Sequence, residues 1–128
     1  MIKKLMTLVL MLCAFSGCSA SSSNSYTQIS QEKAKEMMDS QPQVLVLDVR
    51  EQEEYWAGHI SGAKLFPLGE INKSSASKMI PEKDSVVLIY CRSGNRSKKA
   101  AEKLVELGYT RIYEFGGINT WPYEIVTK

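Results

Sequence analysis

The sequence contains few cysteines, three in 128 residues, and this scarcity limits both its architecture and its chemistry. Cys13 and Cys18 belong to an apolar N-terminal segment, so Cys91 is the only cysteine in the rest of the chain. If Cys18 carries a lipid, Cys91 has no partner for an intrachain disulfide. That excludes a domain held together by disulfide bonds. A lone thiol in an oxidising compartment is a liability unless it is used or deeply buried.

The chain also lacks an excess of charge of one sign. Its formal net charge of +2 comes from 16 basic and 14 acidic residues, and Lys3 and Lys4 account for the difference. Without the first 17 residues the two signs balance, so nothing in the charge indicates a nucleic-acid partner. The length allows one domain of ordinary size, and the sequence has no internal repeat.

No hydrophobic run is long enough to span a bilayer comfortably. The apolar stretch Leu5–Phe15 has 11 residues, follows Lys3 and Lys4, and precedes two small residues, which is typical of an export signal. The following letters "FSGC" resemble the lipobox of bacterial lipoproteins. We therefore predict cleavage after Gly17 and acylation of Cys18.

This N-terminal layout predicts an exported protein that is lipid-anchored at the cell envelope, on the periplasmic face if the host has two membranes. A cut after Ala20 would instead give a soluble periplasmic or secreted protein, and an uncleaved segment would itself be the anchor. The predicted divisions are a signal peptide at 1–17, a lipidated cysteine with a Ser-rich tether at 18–26, and a folded domain at 27–128.

Strand-like and helix-like patterns alternate after the tether. Two unbroken apolar runs and one later run predict strands, and the unbroken runs are typical of strands covered on both faces: Gln43–Val49, Ser85–Tyr90 and Thr110–Phe115. Capping signals and apolar periodicity predict helices: Ser30–Ser40, Glu51–Ala57, Glu70–Ile80 and Ser97–Leu107. The alternation predicts an α/β domain with a mainly parallel sheet.

Cys91 directly follows one of these strands, where ligands bind in parallel sheets. Gly94 permits a tight turn, and backbone N–H groups that curl ahead of a helix form a concave nest of partial positive charge. The nest, with Arg92 and Arg96, favours the thiolate, which is the nucleophilic form of cysteine. The alternative is a buried, inert cysteine beside a solvated helix start.

The spacing after Cys91 distinguishes two chemistries. Protein tyrosine phosphatases use Cys-x5-Arg, whose arginine holds phosphate with two hydrogen bonds. Here Arg96 follows after four residues and Ser97 occupies the next position, so the loop is tighter. A tighter loop encloses less volume and suits a single sulfur atom carried on cysteine. Phosphatase or arsenate-reductase activity remains a minor alternative.

Three ordered motifs resemble those of single-domain rhodaneses. They are the six-residue active-site loop and helix start "CRSGNRS" (91–97), the upstream signature "VLDVREQEEYWAGHISGA" (46–63), and the C-terminal signature "GGINTWP" (116–122). The resemblance covers most of the chain after the tether and implies a rhodanese domain at 27–128. It also implies a rhodanese-like α/β fold, in which a mainly parallel five-stranded sheet is flanked by helices on both faces.

The resemblance implies a thiosulfate sulfurtransferase. Cys91 would take the outer sulfur of thiosulfate, release sulfite, hold a persulfide and pass the sulfur to an acceptor. It implies a small anionic sulfur donor, a thiol or protein acceptor, and neither metal nor organic cofactor, because the covalent sulfur serves instead. Nothing demands more than a monomer. The substrate-binding candidates are Arg50, Arg92, Ser93, Gly94, Asn95, Arg96 and Ser97.

Three signature residues outside the loop have more than one interpretation. Arg50 could form an internal ion pair or bind the donor. Asp48 is expected to be structural, since a carboxylate beside a thiolate opposes ionisation. His59, the only histidine, is expected to fix a turn rather than act as a base. A second function class also stays open: a sulfur-carrying, redox-sensing or partner-binding module without turnover.

Overall fold

A sheet of five parallel strands is the centre of the computed structural model, which describes residues 25–127. The sheet strands are β1 (Thr27–Gln28), β2 (Leu45–Asp48), β4 (Lys64–Leu65), β5 (Val86–Cys91) and β6 (Arg111–Gly117), and β3 (His59–Ile60) pairs separately with β7 (Ile125–Val126). The helices are α1 (Gln31–Ser40), α2 (Gln52–Ala57), α3 (Lys73–Met79) and α4 (Asn95–Glu106). Single 3₁₀ turns occupy Leu68–Glu70 and Ile118–Thr120.

The sheet order is β1-β6-β5-β2-β4, and every neighbouring pair is parallel. Side chains alternate along β5, so its two faces contribute to two separate hydrophobic clusters. One cluster contains residues of α3 and α4, and the other contains residues of α1 together with Trp121. Helices therefore cover both faces, and the predicted fold class is confirmed.

Among the element boundaries that differ from the sequence prediction are the end of β5, the starts of α4 and α3, and the end of β6. The strand before the loop includes Cys91, and α4 begins at Asn95 rather than Ser97, so the loop is shorter than expected. The predicted helix Glu70–Ile80 is wrong at its start, because Asn72 caps a new helix there. Its side-chain oxygen accepts from the N–H of Ser75 at 2.9 Å, and the Ser75 hydroxyl accepts from the N–H of Asn72.

The predicted end of the last sheet strand is also wrong, because β6 continues through Gly117, which pairs with Cys91. The register shifts between Ile89 and Cys91, so β6 carries one extra residue at this point. The predicted signal peptide at 1–17 and the lipidation site Cys18 lie outside the described residues. Within residues 25–127, no helix has the length and apolar character to cross a membrane.

Candidate active site

Cys91 lies at the carboxyl end of β5, where the chain leaves the sheet. Val87, Ile89 and Cys91 point to the face that α4 covers, because alternate residues of a strand share a face. The side chain is 1% exposed. Its position at the carboxyl edge of parallel strands is the usual place for a ligand site in this kind of sheet.

The loop between β5 and α4 turns tightly around the sulfur. Gly94 has φ 110°, in the left-handed region that favours glycine, and it is the residue that precedes α4. Its N–H donates to Cys91 Sγ at 3.0 Å. The hydroxyl of Ser97, in the first turn of α4, lies 3.4 Å from the same sulfur. The sulfur is therefore held inside the turn rather than beside it.

The pKa of Cys91 lies below its ordinary value. Burial by itself raises the pKa of the thiol, and hydrogen bonding with the Ser97 side chain and with the N–H groups of Ser97, Gly94 and Ser93 more than offsets that effect. These groups stabilise the negative charge on sulfur. The site thus favours the reactive form of the cysteine despite its burial.

Backbone contacts with β6 fix the position of the loop. The carbonyl of Arg92 accepts from the N–H of Asn119 at 3.1 Å. The same carbonyl lies so close to Gly117 that a Cβ on that residue would fall 2.0 Å from the oxygen. Only glycine fits at this position, so the Gly-Gly signature serves a close approach of two backbones.

The polar side chains of the loop differ in exposure. Arg92, Ser93 and Asn95 are exposed, and Gly94 and Ser97 are buried. Arg96 is half-buried and ion-paired with Glu54 of α2, through two hydrogen bonds of 2.8 and 3.0 Å. The pair joins α2 to the start of α4.

The ion pair changes both pKa values in the stabilising direction. The hydrogen bonds from Arg96 lower the pKa of Glu54 to about 2, against an opposing effect of burial. The hydrogen bonds to Glu54 raise the pKa of Arg96, and the negative charge on Cys91 contributes in the same direction. A positive guanidinium is therefore held near the sulfur.

Arg50 forms an internal ion pair, one of the two roles considered for it. Its Nε and Nη2 donate to both oxygens of Asp48, with the shortest distance at 2.7 Å, and Nη2 also donates to the carbonyl of Gly58 at 2.7 Å. Both side chains are buried. These contacts hold Nε and Nη2 inside the protein, and donor binding by Arg50 stays a prediction.

Asp48 has a structural role, because its carboxylate accepts hydrogen bonds from neighbouring buried residues. It also accepts a hydrogen bond of 2.5 Å from the hydroxyl of Tyr90, and that hydroxyl accepts from the N–H of Ile60. Burial, and then the negative charge of Asp48, raises the pKa of Tyr90. The network connects β2, β5 and β3, because each of the three residues lies in a different strand.

His59 lies in β3 and is engaged by Tyr55 of α2. Its Nδ1 lies 2.9 Å from the carbonyl oxygen of Tyr55, and the two rings stack with centroids 3.7 Å apart. The hydroxyl of Tyr55 in turn donates to the carbonyl of Ala63 at 2.6 Å. The histidine therefore orders the α2–β3 connection.

Glu114 is a site residue that the sequence analysis missed. It is 1% exposed, and its Oε2 accepts from the Ser97 hydroxyl at 2.5 Å and from the N–H of Gly116 at 3.0 Å. Oε1 accepts from Gln28 of β1 at 3.3 Å. The sequence did contain a signal for it, a carboxylate inside the apolar strand pattern "RIYEF". Burying a carboxylate without a hydrogen-bond partner is costly, so its presence there indicates such a partner.

Among residues 25–127, no three His, Cys, Asp or Glu side chains lie together in an arrangement that could hold a metal ion. The chemistry available at the site is covalent: a stabilised thiolate, hydrogen-bond donors around it, and nearby positive charge.

A model of the family described as "Rhodanese-like domain" matches residues 30–123. Among curated relatives, the chain is 39% identical over 72 residues to the thiosulfate sulfurtransferase PspE of Escherichia coli, covering 56% of this chain and 68% of that protein. It is 36% identical over 104 residues to YrkF of Bacillus subtilis, which is named as a candidate sulfur carrier protein. That match covers 80% of this chain but only 55% of YrkF.

Solved structures agree with the sequence comparison. A rhodanese from E. coli, solved with anions, superposes with a TM-score of 0.62 at 34% identity, covering 66% of this chain and 99% of that one. The family match extends over four of the five sheet strands, β2, β4, β5 and β6, and includes the Cys91 loop and the C-terminal signature. The chain belongs to the rhodanese-like domain family, whose members include sulfurtransferases.

Proposed function

We propose that this protein is an exported sulfurtransferase that moves sulfane sulfur from thiosulfate, or a similar donor, to a thiophilic acceptor through a persulfide on Cys91. The observation that carries the proposal is the set of hydrogen bonds around Cys91 Sγ, led by the 3.0 Å contact from the Gly94 N–H. Such a turn stabilises an anionic sulfur. PspE, a relative, is named for this reaction.

The chemistry proceeds in two displacements. The Cys91 thiolate attacks the outer sulfur of thiosulfate, a new S–S bond forms, and sulfite leaves with the electrons of the old one. An acceptor thiolate, or cyanide in an assay, then attacks the outer sulfur of the persulfide and restores the Cys91 thiolate. The loop N–H groups hold the negative sulfur in both steps.

The loop residues take different roles in this scheme. Gly94 and Ser97 would bind the sulfur directly, and Ser93 contributes its N–H. Exposed Arg92 and the nearby Arg96 would attract the anionic donor by their charge. No metal or organic cofactor is needed, and the remaining expectations stand as proposals: a thiol or protein acceptor, no nucleic-acid partner, and a monomer.

The orientation of Arg96 disfavours phosphatase chemistry. A phosphatase arginine turns into the loop and holds phosphate with two parallel hydrogen bonds. Here both terminal nitrogens of Arg96 are engaged by Glu54 instead. The loop therefore has no free guanidinium clasp from this residue, and sulfur transfer fits the geometry better.

Replacing Cys91 with serine tests the proposal. We expect Cys91→Ser to keep the fold and to abolish sulfur transfer from thiosulfate to cyanide, because a hydroxyl at this position is not ionised at neutral pH. Mass spectrometry of the thiosulfate-treated wild type should show the gain of one sulfur atom, which the serine variant lacks. Full activity of Cys91→Ser would refute the mechanism.

A sulfur carrier without turnover is the second candidate, and the similarity to YrkF favours it. A carrier also forms the persulfide, so the mass gain does not separate the two functions. Steady-state kinetics with several donors and acceptors separates them, because only an enzyme turns over many times with a small thiol or cyanide. Sulfenic acid at Cys91 without any persulfide would instead indicate an oxidant sensor.

We also propose that the domain is held at the cell envelope by lipid on Cys18, with 1–17 removed as a signal peptide. The support is the order of Lys3, Lys4, the apolar stretch Leu5–Phe15 and the small residues before Cys18. Cleavage after Ala20, which gives a soluble exported protein, is the alternative.

A further inference from the structure

Ser97 has one hydroxyl hydrogen and three groups that can accept it. Glu114 Oε2 lies at 2.5 Å, while Cys91 Sγ and the carbonyl oxygen of Gly116 each lie at 3.4 Å. The shortest contact identifies Glu114 as the acceptor, since hydrogen bonds to carboxylates are short and strong. In this arrangement the hydroxyl presents a lone pair, not a hydrogen, to the sulfur.

At the Ser97 hydroxyl this arrangement suits a protonated thiol, whereas the loop N–H groups favour the thiolate. The S–H of Cys91 can donate to Ser97 Oγ, whereas a thiolate would face an oxygen lone pair with a carboxylate behind it. The thiolate gains a hydrogen bond from Ser97 only if that hydrogen turns away from Glu114. Glu114 would then be left buried and charged with one donor fewer, unless it takes up a proton itself.

We propose that Glu114 is the positioning residue that receives the Cys91 proton through Ser97. The thiol proton passes from Sγ to Ser97 Oγ as the hydroxyl proton of Ser97 passes to Glu114 Oε2. The products are a thiolate, an intact hydroxyl that now donates to it, and a neutral carboxyl that donates to Ser97. No atom is gained or lost, and the total charge stays at −1.

Other groups around the chain of hydrogen bonds leave this proton path intact. Gln28 of β1 and the N–H of Gly116 also donate to Glu114 and carry no charge. From α4, Lys98 Nζ donates to the carbonyl of Gly94 at 3.3 Å, and the charged guanidinium of Arg96 is hydrogen-bonded to Glu54 of α2 rather than to Glu114. On the loop, Arg92 is exposed, so its charge is screened by solvent.

The proton also has a way out of the protein. Glu114, Lys98 and Ser93 line an open cleft of about 390 Å³ on the side of the loop near β1. A proton held on Glu114 can therefore exchange with solvent at this cleft. Donor and acceptor can meanwhile approach the sulfur without having to carry the proton away.

A pH titration of thiolate absorbance tests the inference without any sulfur donor. Each protein is compared with the same protein carrying Cys91→Ser, so that only Cys91 contributes to the difference. A shared proton gives two steps in the wild type, because some thiolate appears when the first proton leaves the coupled pair. Glu114→Gln should give one step, since the amide cannot take up the proton.

The sign of a second measurement separates proton transfer from simple electrostatics. In Glu114→Gln, the loss of a negative charge near Cys91 would by itself favour the thiolate and speed the reaction with thiosulfate at mildly acidic pH. If Glu114 accepts the proton, the same variant should instead react more slowly at that pH, by about tenfold or more, and should react at nearly the wild-type rate in alkaline solution. Glu102→Gln, an exposed carboxylate change on α4, is the matched control and should change neither measurement.

Ser97 variants keep the inference testable if Glu114→Gln fails to fold. Ser97→Ala interrupts the path and should lower the rate with thiosulfate at mildly acidic pH, as Glu114→Gln does, and Ser97→Thr, which restores a hydroxyl, should bring the rate back. A wild type with one titration step, or a Ser97→Ala variant that keeps the wild-type rate at that pH, overturns the inference. This proposal rests on the same site as the proposed sulfur transfer, but the titration stands independently of that activity.

Discussion

At the residue scale, the site depends on positions whose importance lies in backbone geometry as much as in chemistry. Cys91, Gly94 and Arg96 could be selected from the sequence, because a strand, a cysteine and a glycine-containing turn before a helix form a local pattern. Glu114 shows only as a carboxylate inside an apolar strand pattern, and its contact with Ser97 could not be predicted, since it depends on the pairing of β5 with β6. Contacts between distant segments leave little trace in a local pattern.

Gly117→Ala tests the backbone contact beneath the loop. The new Cβ would fall 2.0 Å from the Arg92 carbonyl oxygen, so the loop has to move. We expect a loss of about 1–3 kcal/mol in the free energy of unfolding, as for other overpacked sites, together with a large loss of sulfur transfer. Chemical denaturation and the thiosulfate assay measure the two effects.

Gly69→Ala is the matched control, because a Cβ at that position meets no atom within 4 Å. It should be neutral or slightly stabilising, since alanine restricts the unfolded chain. Equal behaviour of the two variants would contradict a steric role for Gly117.

At the element scale, the contacts between helices and loops refine what periodicity predicts. The apolar face of α4 and the strand character of β2 and β5 follow from sequence patterns. The two-residue strands, such as β3 and β7, do not, because they are too short to show alternation and exist only as partners for each other. The ion pair between α2 and α4 likewise joins segments that are far apart in sequence.

Glu54→Gln tests this connection through its pH dependence. The folded pKa of about 2 lies below the ordinary 4.5, so the pair's contribution is fully present above about pH 4.5 and is lost as the pH falls through about 2. The side chains are 26% and 30% exposed, which limits the expected effect at neutral pH to about 1 kcal/mol. Denaturation midpoints across pH measure it, and the difference from wild type should vanish in strong acid.

The glutamine still accepts the N–H of Glu51 through its carbonyl oxygen, so the substitution mainly removes the charge and retains the helix cap. Asp39→Asn, which breaks an exposed ion pair within α1, is the control and should cost no more than about 0.5 kcal/mol. A Glu54→Gln effect that did not change with pH would argue against an electrostatic origin.

At the scale of the whole molecule, fold class was the most predictable property. Alternating strand and helix patterns require a parallel sheet, and the buried strands require helices on both faces. The number of strands followed from the family resemblance rather than from the patterns themselves, and the order of the strands was not predicted. The loop spacing and the three motifs predict sulfur-transfer chemistry, but they do not identify the sulfur donor or the acceptor.

Cys18→Ala tests the proposed attachment of the whole molecule to a membrane. We expect the wild type to incorporate labelled fatty acid and to fractionate with membranes, since each buried methylene contributes about 0.8 kcal/mol. The variant should lose both properties while its Cys91 chemistry is retained. A wild type that stays unlabelled and soluble would favour cleavage after Ala20.

The extra residue in β6 has a consequence for insertions and deletions. Ile89 of β5 pairs with Glu114 of β6, and Cys91 pairs with Gly117. The number of residues between Glu114 and Gly117 therefore fits the one irregularity in the pairing of these two strands. Shortening this spacer by one residue would turn the carboxylate to the opposite side of the sheet or draw the glycine away from Arg92. Length at this corner is therefore as restrictive as residue identity.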